Sequence, residues 1–382
     1  MFLIFVGYSS GQFHSYLFQH RGFRDLEIGY LLMAGSWAAV LSPLLQVPII
    51  RLFRGPRLPL MLALACSGGC LVLLPQARSY YRLMGLFFLF SFSSASIYSL
   101  NTACTFEATR SRGHGIFFRI RSLGTLGFLA GCIVSAFYTR LDDLDRLYAG
   151  FGLAMVLALV LVARFYLRAP PDQAPEDFLV SRHPVAAPDF RRSLGLLGEQ
   201  GTWRLLAVLG VLNFANVMAI SVQGNYLAER WQGGQRAISL AWMVSTACEI
   251  PLMLACAWVL RRYGLRYVLG LGVAGTLVKL VGLAMAGRYW HYCLALTMHG
   301  CFFSGALAGF SVYIDRRYPR ADSPSLQALS TVFYQGFPSV LAGLSAGLVW
   351  HHYSLRTVYI LAGAIAVLAS GYAFFLFRKM LK

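Results

Sequence analysis

Glu249, Lys279 and His299 are a carboxylate, an ammonium and an imidazole set in three successive stretches that otherwise read as apolar and membrane-crossing. A charge at a bilayer centre costs roughly 2.5–3.5 kcal/mol on insertion scales, so such a residue is rarely kept without a partner or a task. Three titratable types that can meet in a membrane interior suit the loading and unloading of a proton. In that reading Glu249 carries it, Lys279 is the counter-ion, and His299 is the side chain that titrates nearest neutral pH. The bland alternatives are a Glu–Lys pair that only docks two helices and a hydrogen-bonded core histidine. Buried pairs are poor evidence for a purely structural role, because they add little net stability.

A second set of residues could face a solute. Tyr8, Gln12 and Tyr16 recur every four residues, Asn216 and Gln223 are seven apart, and Gln327, Tyr334 and Gln335 lie in one late apolar stretch. Spacings of four and seven put side chains on one helical face. Polar groups in hydrocarbon must be satisfied, so these face neighbouring helices or a wet cavity. Their uncharged character points to a small neutral polar or aromatic solute rather than a multivalent anion.

The elements that must hold these residues follow from composition. The chain has 382 residues, 58% hydrophobic and 13% charged, against about 25% charged in a soluble domain. It reads as an all-α integral membrane protein whose surroundings are the lipid bilayer. About 20 apolar residues cross a bilayer core as a helix. On that basis the spans, numbered one to twelve, are 1–19, 27–50, 59–76, 82–105, 117–138, 147–167, 204–228, 237–260, 267–286, 289–313, 325–350 and 356–377. The net charge of +18 is carried by basic residues in short loops, 30 of the 33 being Arg. They build no basic domain, so nucleic acid is not an expected partner.

Loop charge sets the orientation. With the N-terminus inside, 22 Lys and Arg fall on the cytoplasmic side and 10 on the other, the remaining one being Lys279. Both termini are therefore expected in the cytoplasm of a cell with this protein in its inner, or plasma, membrane. The start MFLIFVGYSSGQFHSYLF has no basic n-region or A-x-A-like site and reads as the first span rather than a cleaved signal. Residues 169–203, rich in Pro and charge, read as a cytoplasmic linker between an N-terminal six-helix bundle, 1–168, and a C-terminal one, 204–382. The halves share strings: Tyr16-Leu17-Phe18-Gln19-His20 matches Tyr226-Leu227-Ala228-Glu229-Arg230 at an offset of 210. Arg54-Gly55-Pro56-Arg57 matches Tyr263-Gly264-Leu265-Arg266 at 209. Two matches at nearly one offset support a parallel repeat with a midplane site.

Other chemistries find little support. Gly7–Gly11 and Gly343–Gly347 fit G-x-S-x-G, but that motif needs a strand-to-helix turn, and both lie within expected helices. There is no G-x-x-x-x-G-K-[ST] loop for ATP-driven transport. The eight cysteines lie in apolar segments, and Cys66 with Cys70 lacks a second ligand pair, so no metal or cofactor is expected. No His or Asp cluster gathers at one membrane face as an enzyme would want.

Several strings taken in order resemble the major facilitator superfamily: YLFQHRGFRDLEIGYLLMAG (16–35), RIRSLGTLGFLAG (119–131), AWMVSTACEI (241–250), MHGCFF (298–303) and LQALSTVFYQGFPSVLAGLSAGLVW (326–350). They look like the branch of lactose permease-like oligosaccharide/proton symporters, phenylpropionate-type permeases and nucleoside/proton symporters. The resemblance implies 12 transmembrane helices in two pseudo-symmetric six-helix bundles, a monomer, and proton-coupled symport of a sugar, nucleoside or aromatic acid. It places Glu249 at an acidic position of span eight, Lys279 where span nine usually carries Arg, and His299 at the histidine of span ten. It also gives Arg121 a substrate or gate contact. The carboxylate that relatives place in span four would fall at Ala103, leaving Asn101 as a nearby polar candidate and arguing against a galactoside-like solute. The 2–3 loop lacks the family's Asp. Rival readings are proton-antiport efflux of drug-like or metabolite molecules by the same fold, and a receptor that binds without translocating.

Overall fold

The computed structural model of the protein describes residues 1–53, 57–109, 114–138, 144–168, 195–196, 198, 202–231, 234–318, 326 and 329–380. Within them the secondary structure is helical, with no strand. Eight helices among the described residues are long and apolar enough to cross a membrane. Most of 169–203 lies outside the described residues, as do the acidic-loop residues Asp142 and Asp143.

By its contacts the chain forms two compact units, Met1–Leu17 with Ala34–Ala187, and Phe18–Met33 with Pro188–Lys382. The second unit thus includes the end of span one and the start of span two. In the first unit, span three packs on spans four and six, and span one packs on spans five and six. In the second, span nine packs on spans ten and twelve, and span seven on spans eleven and twelve. The two packing lists are the same once six is added to each number, so the sequence repeat is also a repeat of helix partners.

Small residues make the closest crossings possible. Without a hydrophobic drive between helices in lipid, association depends on close packing, which Gly permits. A Cβ on Gly152 of span six would lie 2.8 Å from the Gly68 carbonyl oxygen of span three. A Cβ on Gly305 of span ten would lie 2.6 Å from Gly272 Cα of span nine. Span three against six and span nine against ten therefore meet backbone to backbone. The Gly343–Gly347 string has the same explanation, whereas in Gly7–Gly11 a Cβ on Gly11 would meet nothing within 4 Å. Gly343 and Gly347 of span eleven pack on Leu32, Met33 and Gly29 of span two, while Gly7 packs on Met155.

Two helix ends are set by local chemistry. Span two starts at Asp25, with Asp25 and Glu27 in its first turn, where negative charge meets the positive end of the helix dipole. Glu27 Oε2 accepts the Arg24 backbone N–H at 2.8 Å, as in a capping box. Span eight stops at Arg262; Gly264 follows at φ 94°, and its N–H bonds back to the Val259 carbonyl. A left-handed residue there favours glycine.

Several spans are not continuous α-helices. Span one runs as an α-helix over Phe2–Tyr8, a 3-10 stretch over Ser9–Phe13, and an α-helix over His14–His20. The Gly7–Gly11 string therefore straddles a change of helix type. Span seven is an α-helix over Thr202–Ser221 that restarts at Gln223–Trp231. Span ten is the most interrupted: α over Tyr289–Leu296, a turn, α over His299–Cys301, π over Phe302–Leu307, then α over Ala308–Arg317. Span eleven has a π segment at Val332–Gly336. By contrast, span eight runs unbroken over Gly234–Arg262 with Pro251 inside it.

A candidate coupling and solute site

Lys279 is a fully buried side chain of span nine in the second unit. Its ammonium donates to Asn216 Oδ1 of span seven and lies 3.1 Å from His299 Nδ1 of span ten. The cation therefore donates to an amide and an imidazole rather than to a carboxylate. With Lys279 charged, His299 accepts through Nδ1 and carries its own proton on Nε2. The two groups lie within hydrogen-bonding distance of each other.

The packing around His299 is aromatic. Trp242 of span eight stands edge-on to it at 5.2 Å and 89°, and Phe303 at 5.0 Å and 63°. Span ten provides this position through its defects: the turn at 297–298 precedes His299, and the π segment begins three residues later at Phe302. Single-turn π segments inside α-helices occur frequently at functional sites. Glu249 is half-buried on span eight and meets the same stretch of backbone, since a Cβ on Gly300 would lie 2.9 Å from Glu249 Cα. Glu249 thus lies against the residue that follows His299.

The solute candidates separate by their surroundings. Gln12 is 5% exposed; its Oε1 accepts from Cys132 Sγ at 3.7 Å, and its Nε2 has no hydrogen-bond partner among the described residues. Gln223 is 2% exposed, and its Nε2 also has none. Both carboxamides sit at the helix break of the first span of their own unit. In the second unit the hydroxyls of Ser245 and Ser304 are likewise buried and unsatisfied. A buried donor without an acceptor costs about 1–3 kcal/mol, so each of them marks a point where a ligand or water can complete the bonding.

Other candidates carry helix contacts. Tyr8 donates to the Ser94 carbonyl oxygen at 2.7 Å. Asn101 is half-buried on span four. Gln335 is exposed within the π segment, and its carbonyl accepts from Asn213 Nδ2 at 3.3 Å. Arg121 lies in the helix His114–Phe137, but its side chain is outside the described residues, and so is Gln327. Among the described residues no group of His, Cys, Asp and Glu is arranged to hold a metal ion.

Sequence reasoning passed over two features. In the first unit His14 Nδ1 lies 2.8 Å from the Tyr148 hydroxyl, with Phe87 and Phe90 edge-on at 5.1 and 5.2 Å. A second intramembrane histidine, two residues from Gln12, was the available signal. In the second unit Gln19 Nε2 donates to Glu229 Oε1 at 2.8 Å, and Asn225 Nδ2 donates to Gln19 Oε1 at 2.7 Å. Gln19 and Glu229 occupy the same place in the repeated five-residue strings.

The sequence profile of the MFS_1 like family matches residues 2–361. The chain is 23% identical to the maltose permease of Geobacillus stearothermophilus over 307 residues, which is 79% of this chain and 73% of the permease. Its fold superposes on the nucleoside transporter NupG with a TM-score of 0.76 at 19% identity, covering 100% of this chain and 97% of that one. On a D-xylose-proton symporter the TM-score is 0.72 at 13% identity, with 97% and 94% covered. Those structures share the twelve-helix fold in two six-helix bundles. The chain therefore belongs to the MFS_1 like family of major facilitator transporters, multi-pass membrane proteins that carry small molecules and are not enzymes.

Proposed function

We propose that the protein is a proton-coupled symporter of a small neutral polar or aromatic solute, working by alternating access. A nucleoside or a sugar heads the candidates. The observation that carries the reading is the buried Lys279–Asn216–His299 cluster at the interrupted part of span ten, with Glu249 packed beside it. A charge in that setting is costly unless it has a function. The similarity to a maltose permease, and to structures named as a nucleoside transporter and a xylose-proton symporter, supports the same class of cargo.

In this mechanism Glu249 takes up a proton, and the Lys279–His299 pair senses that change through the shared backbone contact of spans eight and ten. In the second unit Gln223 donates to a carbonyl or hydroxyl oxygen of the solute. Coupling requires solute and proton to bias the same two-state equilibrium. The protein works as a monomer with both termini in the cytoplasm of the inner membrane.

The test is accumulation in proteoliposomes under an imposed pH gradient, with pooled nucleosides, sugars and aromatic acids. Uphill uptake of one pool, lost in Glu249→Gln while solute exchange persists, is the expected result. Undiminished uphill uptake by that variant would overturn Glu249 as the carrier. Export driven by the gradient would place the protein among antiporters.

A further inference from the structure

Spans nine and ten line an open groove of about 330 Å³, with Val278, Met285, His291, Leu294 and Met298 along it. Small-molecule sites run from roughly 300 to 1,000 Å³, so it can take a chain-like ligand. Its rim is exposed: Val278 is 57%, Leu294 61% and Met285 76% accessible. Both helices are apolar enough to cross a membrane, so the medium at that rim is lipid. A purely apolar groove would hold any acyl chain in passing. This one has a charged end.

The turn between the helices contributes Arg288, and His291 lines the cavity itself. Tyr289 and Trp290 stand at the same level, with Trp290 57% exposed, as interfacial aromatic residues do. No Asp or Glu occurs between Glu249 and Asp315, so no acid on either helix offsets that positive end. We propose that this groove is a binding site for one anionic phospholipid, its acyl chain lying along Val278, Leu294 and Met298 and its phosphate held by Arg288 and His291. The lining adds a reason for specific rather than passing contact. Val278 and Met298 are the chain neighbours of Lys279 and His299, so the acyl chain packs on the helix break that presents the buried pair.

The experiment uses the full chain in nanodiscs of phosphatidylcholine with a trace of phosphatidylglycerol whose acyl chain bears a diazirine. After photolysis, labelled peptides are mapped by mass spectrometry. The peptide holding Val278 or Leu294 should be labelled at least fivefold above that holding Leu368, an equally lipid-accessible control at 76% exposure. Unlabelled phosphatidylglycerol should compete, and further phosphatidylcholine should not. Leu294→Trp, which fills the groove from its exposed rim, should lower the labelling about fivefold. Arg288→Gln should keep the labelling but remove the preference for the anionic lipid. Equal labelling of groove and control, or equal competition by both lipids, overturns the proposal. Both readouts are independent of transport.

Discussion

Lys279 has an amide on one side and an imidazole on the other, and each arrangement of the three makes a different demand on stability. Asn216→Leu leaves an ammonium, fully buried, short of an acceptor, at a cost of about 1–3 kcal/mol. The thermal midpoint of the purified protein should therefore fall by several degrees. Adding Lys279→Met removes the need for that acceptor, because an apolar replacement of a buried polar pair is often neutral or better. The double variant should recover most of the lost stability and accumulate no solute. Equal, additive losses in the single and double variants would mean that the two side chains do not depend on each other.

At the scale of the element, Gly272 and Gly305 predict a strong asymmetry between glycines at the crossing of spans nine and ten and a glycine away from it. Gly305→Val would force its side chain into Gly272 of the facing helix and should cost roughly 1–3 kcal/mol or more through overpacking. Gly270→Ala, with nothing within 4 Å of its new methyl, should leave the thermal midpoint within a degree or two. Comparable losses in both would show that the spans nine and ten do not meet as described. The helices themselves were readable in the sequence because apolar length alone signals a span. Their interruptions were not. Ser9–Phe13 and Phe302–Leu307 contain no proline, and the single proline of span eight, Pro251, leaves its helix unbroken. Tertiary packing, which hydropathy does not register, decides where an apolar helix tightens or bulges.

For the whole molecule, the same limit explains what the candidate site gave away in advance. Lys279 and His299 could be singled out because a charge in hydrocarbon stands out in any reading, whereas Asn216 as the ammonium's acceptor depends on how span seven packs. The repeat was legible as two short strings, and the matching lists of helix partners extend it to both units. If the proposed alternating access separates the end of span one from span seven, the Gln19–Asn225 contact opens in each cycle. With the native cysteines replaced, Gln19→Cys with Asn225→Cys should form a disulfide or a short thiol crosslink that cuts solute uptake at least tenfold, and reductant should restore it. Full uptake by the crosslinked protein would count against a moving contact there.

The hydrogen bond between Gln19 and Glu229 has a consequence for how a duplicated chain diverges. The two residues descend on the same position of a repeated string, so an unchanged duplicate would set a side chain against its own copy. Two glutamates there would repel and two glutamines would pair only with one amide turned against the other, whereas Gln opposite Glu sets a donor against an acceptor-only carboxylate. Exchanging the pair, Gln19→Glu with Glu229→Gln, should therefore preserve function that Gln19→Glu alone impairs. The position records a specialisation open to a fused chain and closed to a symmetric dimer of identical halves.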